Sequence, residues 1–114
     1  MWIFTDNGFL SAVQKIDRPE VITVRSRDRE SLEALATVAG EDIVSTPHAD
    51  YPYRAFVKPE VFTKWVVEKA SGIDYSNFKS EVTRTRGFHY TQALHDVWAV
   101  MLQTEDRMWR IPMS

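Results

Sequence analysis

Apolar positions along the chain change their spacing several times, and each change predicts an element. Near the start, Trp2-Ile3-Phe4 and Phe9-Leu10-Ser11-Ala12-Val13 flank Asp6-Asn7-Gly8. Asn and Gly tolerate positive φ at little cost, so this tripeptide predicts a turn between two extended pieces. After a polar loop containing Pro19, Val21-Ile22-Thr23-Val24-Arg25-Ser26-Arg27 opens on a β-branched run and predicts a strand paired antiparallel with residues 9–14. The spacing then becomes helical: Leu32, Leu35, Ala36 and Ala39 share one face, Asp28 is a candidate N-cap, and Gly40 sits where a left-handed C-cap is wanted. That predicts a helix over about 29–39.

Ile43-Val44-Ser45 reads as a short strand, Pro47 and Pro52 bracket a loop, and residues 53–58 alternate as a strand should. Pro59 ends that strand and opens a second helix, because a helix's first turn does not miss the N–H that proline lacks. Phe62, Trp65, Val66 and Lys69 line one side of it, and Gly72 closes it. The remaining residues are helical in pattern from about Asp74–Asn77, with a break at Gly87 and then an apolar stripe of Tyr90, Leu94, Val97, Trp98, Met101 and Leu102.

These elements predict one α+β domain over 1–114. The sheet and two helices occupy about 1–72, a helical segment about 74–106, and a short tail 107–114. The expected architecture is a small antiparallel sheet in β-β-α-β-β-α order, a permuted ferredoxin-like fold with additional C-terminal helices. In that arrangement the usual last strand moves to the front and keeps its place in the sheet. Leu32, Leu35, Phe62 and Trp65 would cover the inward side chains Ile22, Val24, Tyr53, Ala55 and Val57.

Composition narrows the function classes. The chain has 114 residues, 14 Lys+Arg against 16 Asp+Glu, a net charge of −2 and no cysteine. The near-neutral balance argues against a dedicated DNA coater, so any basic site is local. Without cysteine there is no disulfide framework, thiolate nucleophile or thiolate metal site, and a cytoplasmic location is the expectation. No apolar run approaches the ~18–20 residues that a bilayer span needs, so neither a membrane span nor a secretion signal is expected.

Local basicity emerges from strand alternation. Thr23, Arg25 and Arg27 would share a sheet face with Arg54, Phe56 and Lys58, four cations around one ring. Such a surface suits RNA or single-stranded DNA, phosphates on the cations and a base on the ring. The blander readings, a solvated strand face or one covered by the C-terminal helix, are favoured over it. If that helix packs on the sheet, Phe56 becomes core. The stripe itself, with Trp98, Met101 and Trp109, has the composition of an interface for a protein partner or for self-association as a dimer, although burial within its own domain is favoured.

Catalytic signatures are missing by type. Glycines at 8, 40, 72 and 87 form no phosphate loop, and His48, His89 and His95 lack the spacing that would present two imidazoles to one metal. No cofactor or metal is expected. His95 beside Asp96 reads as a partly exposed helix residue. Two polar-aromatic clusters remain: His48, Asp50 and Tyr51 in the loop before residue 53, and Asp74, Tyr75, Asn77 and Lys79 at the start of the third helix. Asp74 and Ser76 are candidate helix caps, while Lys79, Arg84 and Arg86 form either a phosphate or acidic-partner site or a solvated face.

Four segments carry a resemblance: residues 1–13, Val-Arg-Ser-Arg-Asp-Arg-Glu-Ser-Leu at 24–32, Ala-Asp-Tyr-Pro-Tyr-Arg at 49–54 and Ile-Asp-Tyr-Ser-Asn-Phe-Lys at 73–79. Together they resemble a family of small uncharacterised proteins of actinobacteria and the phages that infect them. The resemblance implies a setting and assigns no chemistry to any residue. The leading expectation is therefore a non-enzymatic binding module, a phage or prophage accessory protein acting on a host or phage macromolecule. The alternatives are RNA or single-stranded DNA binding through the basic-aromatic sheet face, and a small hydrolase or nuclease using His48, Asp50, Tyr51 or the Asp74 cluster.

Overall fold

A computed structural model describes residues 1–106, so Trp109 and the tail from 107 lie outside the described residues. The chain forms two compact units, Met1–Ser76 and a second beginning at Asn77. The first holds five strands and two helices in the order β1 (Trp2–Thr5), β2 (Gly8–Lys15), β3 (Arg18–Ser26), α1 (Glu30–Ala39), β4 (Val44–Ser45), β5 (Tyr53–Val57) and α2 (Pro59–Ser71). The second holds α3 (Phe78–Arg86) and α4 (Phe88–Met101), followed by a single 3₁₀ turn, Leu102–Thr104. Among the described residues no helix is long and apolar enough to cross a membrane.

The class is α+β, with an antiparallel sheet ordered β1-β2-β3-β5-β4. The element order departs from the expected β-β-α-β-β-α, because the first hairpin contributes two strands ahead of β3 and β1 takes the sheet edge. The hairpin closes at Asp6-Asn7, with Thr5 opposite Gly8. Gly8 has φ 136°, which a side chain would oppose. Pairing of β2 with β3 matches the sequence expectation as far as Val13 opposite Thr23, then shifts between Val13 and Lys15. Pro19 lies in the displaced stretch and has no N–H to give to a ladder.

One face of the sheet is the core. Leu10, Ala12, Val24, Ala55 and Val57 pack beneath Leu32 and Leu35 of α1 and Phe62 and Trp65 of α2, with Ile22 and Tyr53 at the margin. This is the layer predicted from periodicity. Gly40 ends α1 in the left-handed conformation, φ 67°, and the Glu41 N–H returns to the Ala36 carbonyl. Asp28 behaves differently from the expected cap: Arg29 holds the N-cap position, and the Asp28 carboxylate accepts the Ser31 hydroxyl. Pro59 opens α2 as predicted.

In the second unit the cap of α3 is Asn77, whose Oδ1 accepts the Ser80 N–H at 2.9 Å, in place of Asp74 or Ser76. Asn77 lies immediately before the first helical residue, within reach of the N3 amide. Gly87 separates α3 from α4, and the Thr83 and Thr91 hydroxyls meet across the pair at 2.8 Å.

Candidate functional site

Every strand residue directly opposite another shares its face, so the register defines the surface away from the core. Trp2 lies opposite Ser11, Ser11 opposite Arg25, Arg25 opposite Arg54, and Arg54 opposite Val44. One row therefore crosses all five strands. A second row runs Val13, Thr23, Phe56, and beside the first stand Phe4 and Phe9, opposite one another. The Trp2 and Phe9 rings meet edge to face at 5.5 Å, and Phe4 and Phe9 lie 4.8 Å apart. Trp2 is 71% exposed.

Next to the aromatic cluster the face is guanidinium-rich, though arranged differently from the expected ring of cations around Phe56. The cation over Phe56 is Arg18, 3.9 Å from the ring centroid. Arg18 has the strand parity of the core residues Ile22 and Val24, and the register shift at Val13/Lys15 is what carries its head to the other face. Arg25 and Arg27 instead flank the buried Tyr51 ring, at 4.7 and 4.2 Å. Arg54 turns to Asp50, and Lys58 stands beyond β5 at the N-cap of α2.

Asp50 organises this half of the face. Its carboxylate receives Arg54 at 2.7 Å and Arg25 at 3.2 Å, while its main-chain carbonyl accepts Arg27 at 2.7 Å. Partial desolvation pushes the carboxyl up, but Arg25, Arg54, the Tyr51 N–H and Lys15 outweigh it and hold Asp50 below the usual carboxylate value. The Arg25 and Arg54 side chains are only 12% exposed and the Asp50 side chain 61%, while Arg27 is exposed. Arg25 is anchored from beneath as well, donating to the Ser11 hydroxyl at 2.7 Å. The cations are thus fixed in the sheet, and the carboxylate sits on top of them from a loop.

The structure brings Arg25, Arg27, Arg54, Asp50 and Tyr51 together and leaves His48 exposed on the same loop. A carboxylate held ionised between two guanidiniums is a weak proton acceptor, so Asp50 itself is poorly suited to act as a general base. Asp74 is exposed, Asn77 is the cap of α3, and Lys79 lies 5.3 Å from the Trp98 ring. Arg84 pairs with Glu81 at 2.6 Å, and Arg86 lies over Tyr90 at 3.9 Å. Among the described residues no three His, Asp or Glu side chains converge as metal ligands would.

On α4 the expected burial of the stripe holds for Leu94 alone: Val97, Trp98 and Met101 are exposed, with Trp98 at 57%. His95, exposed as expected, stacks on Trp98 at 5.7 Å. Sequence reasoning missed Trp2, Phe4, Phe9 and Arg18. A signal for the first three was present, because a two-residue turn after Thr5 puts Trp2 and Phe4 on the face of Phe9 and Ser11, and hence of Arg25.

Comparison of the chain with protein-family models, with curated proteins and with solved structures returned no match.

Proposed function

We propose that this protein is a non-enzymatic binding module that holds a macromolecule on the open face of its sheet. The observation that carries this is Trp2, 71% exposed on a regular strand and set against Phe9 beside Phe4. Exposed aromatic clusters next to cations gain little in folding and much in recognition, since aromatic and Arg side chains dominate binding hot spots. We read β2 to β5 with α1 and α2 as a permuted ferredoxin-like unit to which β1 adds an edge, widening the face. A phage or prophage accessory role, the setting implied by the resemblance of four segments, is compatible with a module that acts by occupancy.

Photo-cross-linking tests the reading. A benzoylphenylalanine at position 4 should yield a discrete adduct in cells, and one at position 64, an exposed position on α2, should not. Equal yields, or no adduct from position 4, would refute the sheet face as the binding surface.

A second reading, self-association through α4, is supported by Val97, Trp98, Val100 and Met101, all exposed on one short helix. Sedimentation velocity over a concentration series decides it: a dimer lost in Trp98→Ala sustains it, and a monomer throughout ends it.

A further inference from the structure

The partner of the sheet face follows from how its groups are spaced, an inference that rests on the binding reading above. We propose that the face binds single-stranded nucleic acid, a base on the Trp2-Phe4-Phe9 cluster and phosphates on Arg18, Arg25 and Arg54, and that Asp50 occupies a phosphate position until the ligand displaces it. Neighbouring strands lie about 4.8 Å apart, which puts Arg25 and Arg54 two and three strands, or about 10 and 14 Å, from Trp2 across one row. A single strand laid across the sheet meets a stacking surface first and guanidiniums next. Every base offers a π face, so aromatic stacking beside a basic groove suits single strands of any sequence.

The anion site is already filled by an anion of the right shape. A carboxylate and a phosphodiester each offer two oxygens bearing one negative charge, and guanidinium forks match both. Arg25 and Arg54 are held nearly buried, Arg25 by Ser11 beneath it and Tyr51 beside it. Asp50 is mostly exposed on its loop, so exchange requires the carboxylate to swing out while the cations stay. A protein partner fits the face less well, because it would have to desolvate the exposed Arg18 and match the two guanidiniums behind Asp50 around a small apolar cluster.

Fluorescence anisotropy with labelled single-stranded RNA and DNA of about ten nucleotides, and a duplex of the same sequence, tests the proposal at low salt. At least one single strand should bind more tightly than the duplex, and affinity should fall with salt. Trp2→Ala should weaken binding about tenfold, in line with the loss of one stacked base. Arg18→Ala should reduce the slope of log K against log salt by about 0.7, the value for one phosphate contact on a single strand. Asp50→Asn should bind about threefold or more tightly, since it removes the competing charge and keeps an amide oxygen for the Tyr51 N–H.

Each variant is checked for native circular dichroism and urea midpoint before binding is read. No single-strand binding up to ~100 µM protein overturns the proposal, because even unspecific nucleic-acid binders reach ~10⁻⁴ to 10⁻⁶ M. Binding indifferent to Trp2→Ala overturns it as well, and weaker binding by Asp50→Asn overturns the displacement. A protease-sensitive, nuclease-resistant adduct from position 4 with no oligonucleotide binding would refute the nucleic-acid partner while leaving the sheet-face reading intact. Absence of both refutes both.

Discussion

Replacing Trp65 and Trp2 by Ala in turn measures the two faces of the sheet against each other. Trp65 is 3% exposed within the core beneath the helices, where truncation of a large aromatic costs about 3–5 kcal/mol in transfer and cavity terms. Trp2 is 71% exposed, so under a third of its side chain is hidden. Taking roughly 200 Å² for the whole group, about 60 Å² at ~25 cal/mol per Å² sets a ceiling near 1.5 kcal/mol, including its edge contact with Phe9. With a urea m-value of about 2 kcal/mol per M, the midpoint should fall by about 2 M for Trp65→Ala and by less than about 0.8 M for Trp2→Ala. Urea unfolding followed by far-ultraviolet circular dichroism reads both. A Trp2→Ala shift as large as that of Trp65→Ala would mean that the β1-β2 face is itself core, and the open binding surface would not exist.

Acid titration isolates Asp50. Its folded pKa lies below the ordinary carboxylate value, so the unfolded chain takes up the proton first; the stabilisation is present above about pH 4 and is lost as pH falls through the folded pKa. Wild type should therefore lose its urea-midpoint advantage over Asp50→Asn between pH 5 and lower pH, and a difference constant down to pH 2 would remove the ion pairs from the account. Gly40→Ala should destabilise by about 1–2 kcal/mol by urea midpoint, since a Cβ there meets nothing within 4 Å and the cost is the left-handed backbone alone; a neutral result contradicts the cap. Asn77→Ala should cost about 1 kcal/mol and speed hydrogen exchange at the start of α3, with Asn77→Asp restoring protection; unchanged exchange would assign the cap elsewhere.

Local chemistry made much of the fold legible, and long-range geometry accounts for what was not. Gly40 and Pro59 act on their own turn of helix, and β-branched residues 21–24 act on their own strand, so these features could be read without the rest of the molecule. The core layer was legible too, because Val24, Ala55, Leu35 and Trp65 repeat at strand and helix periods. Asp50 was singled out as a loop residue, but its role depends on Arg25, 25 positions away, and on a loop that returns over the sheet. Arg18 escaped because alternation assigns it to the core face, and only an irregular register reverses that. For α4 the period predicted a stripe correctly, but periodicity states which residues align and never what covers them. Trp98 at 57% exposure is the consequence.

The net charge of −2 is reconciled with a basic face by the layering of the first unit. Strand alternation sends Arg25 and Arg54 to one side of the sheet, while α1 packs on the other and carries Glu30 and Glu33 in its first turn. Glu41 and Asp42 follow in the connection to β4. Acids elsewhere in the chain offset the cations of that face, so the chain as a whole is nearly neutral although one of its surfaces is not. Salt sets the range over which the field of that face can act, since at physiological ionic strength it decays within about 8 Å. A polyanion would feel little from the molecule at a distance and much once it lies against the strands. Affinity for any anionic partner must therefore come from close contact with the Arg18, Arg25 and Arg54 heads, where Asp50 already cancels one charge. Removing that one carboxylate changes the field at the Arg25 and Arg54 heads directly while altering the total charge by one, so the proposed binding turns on Asp50 rather than on net charge.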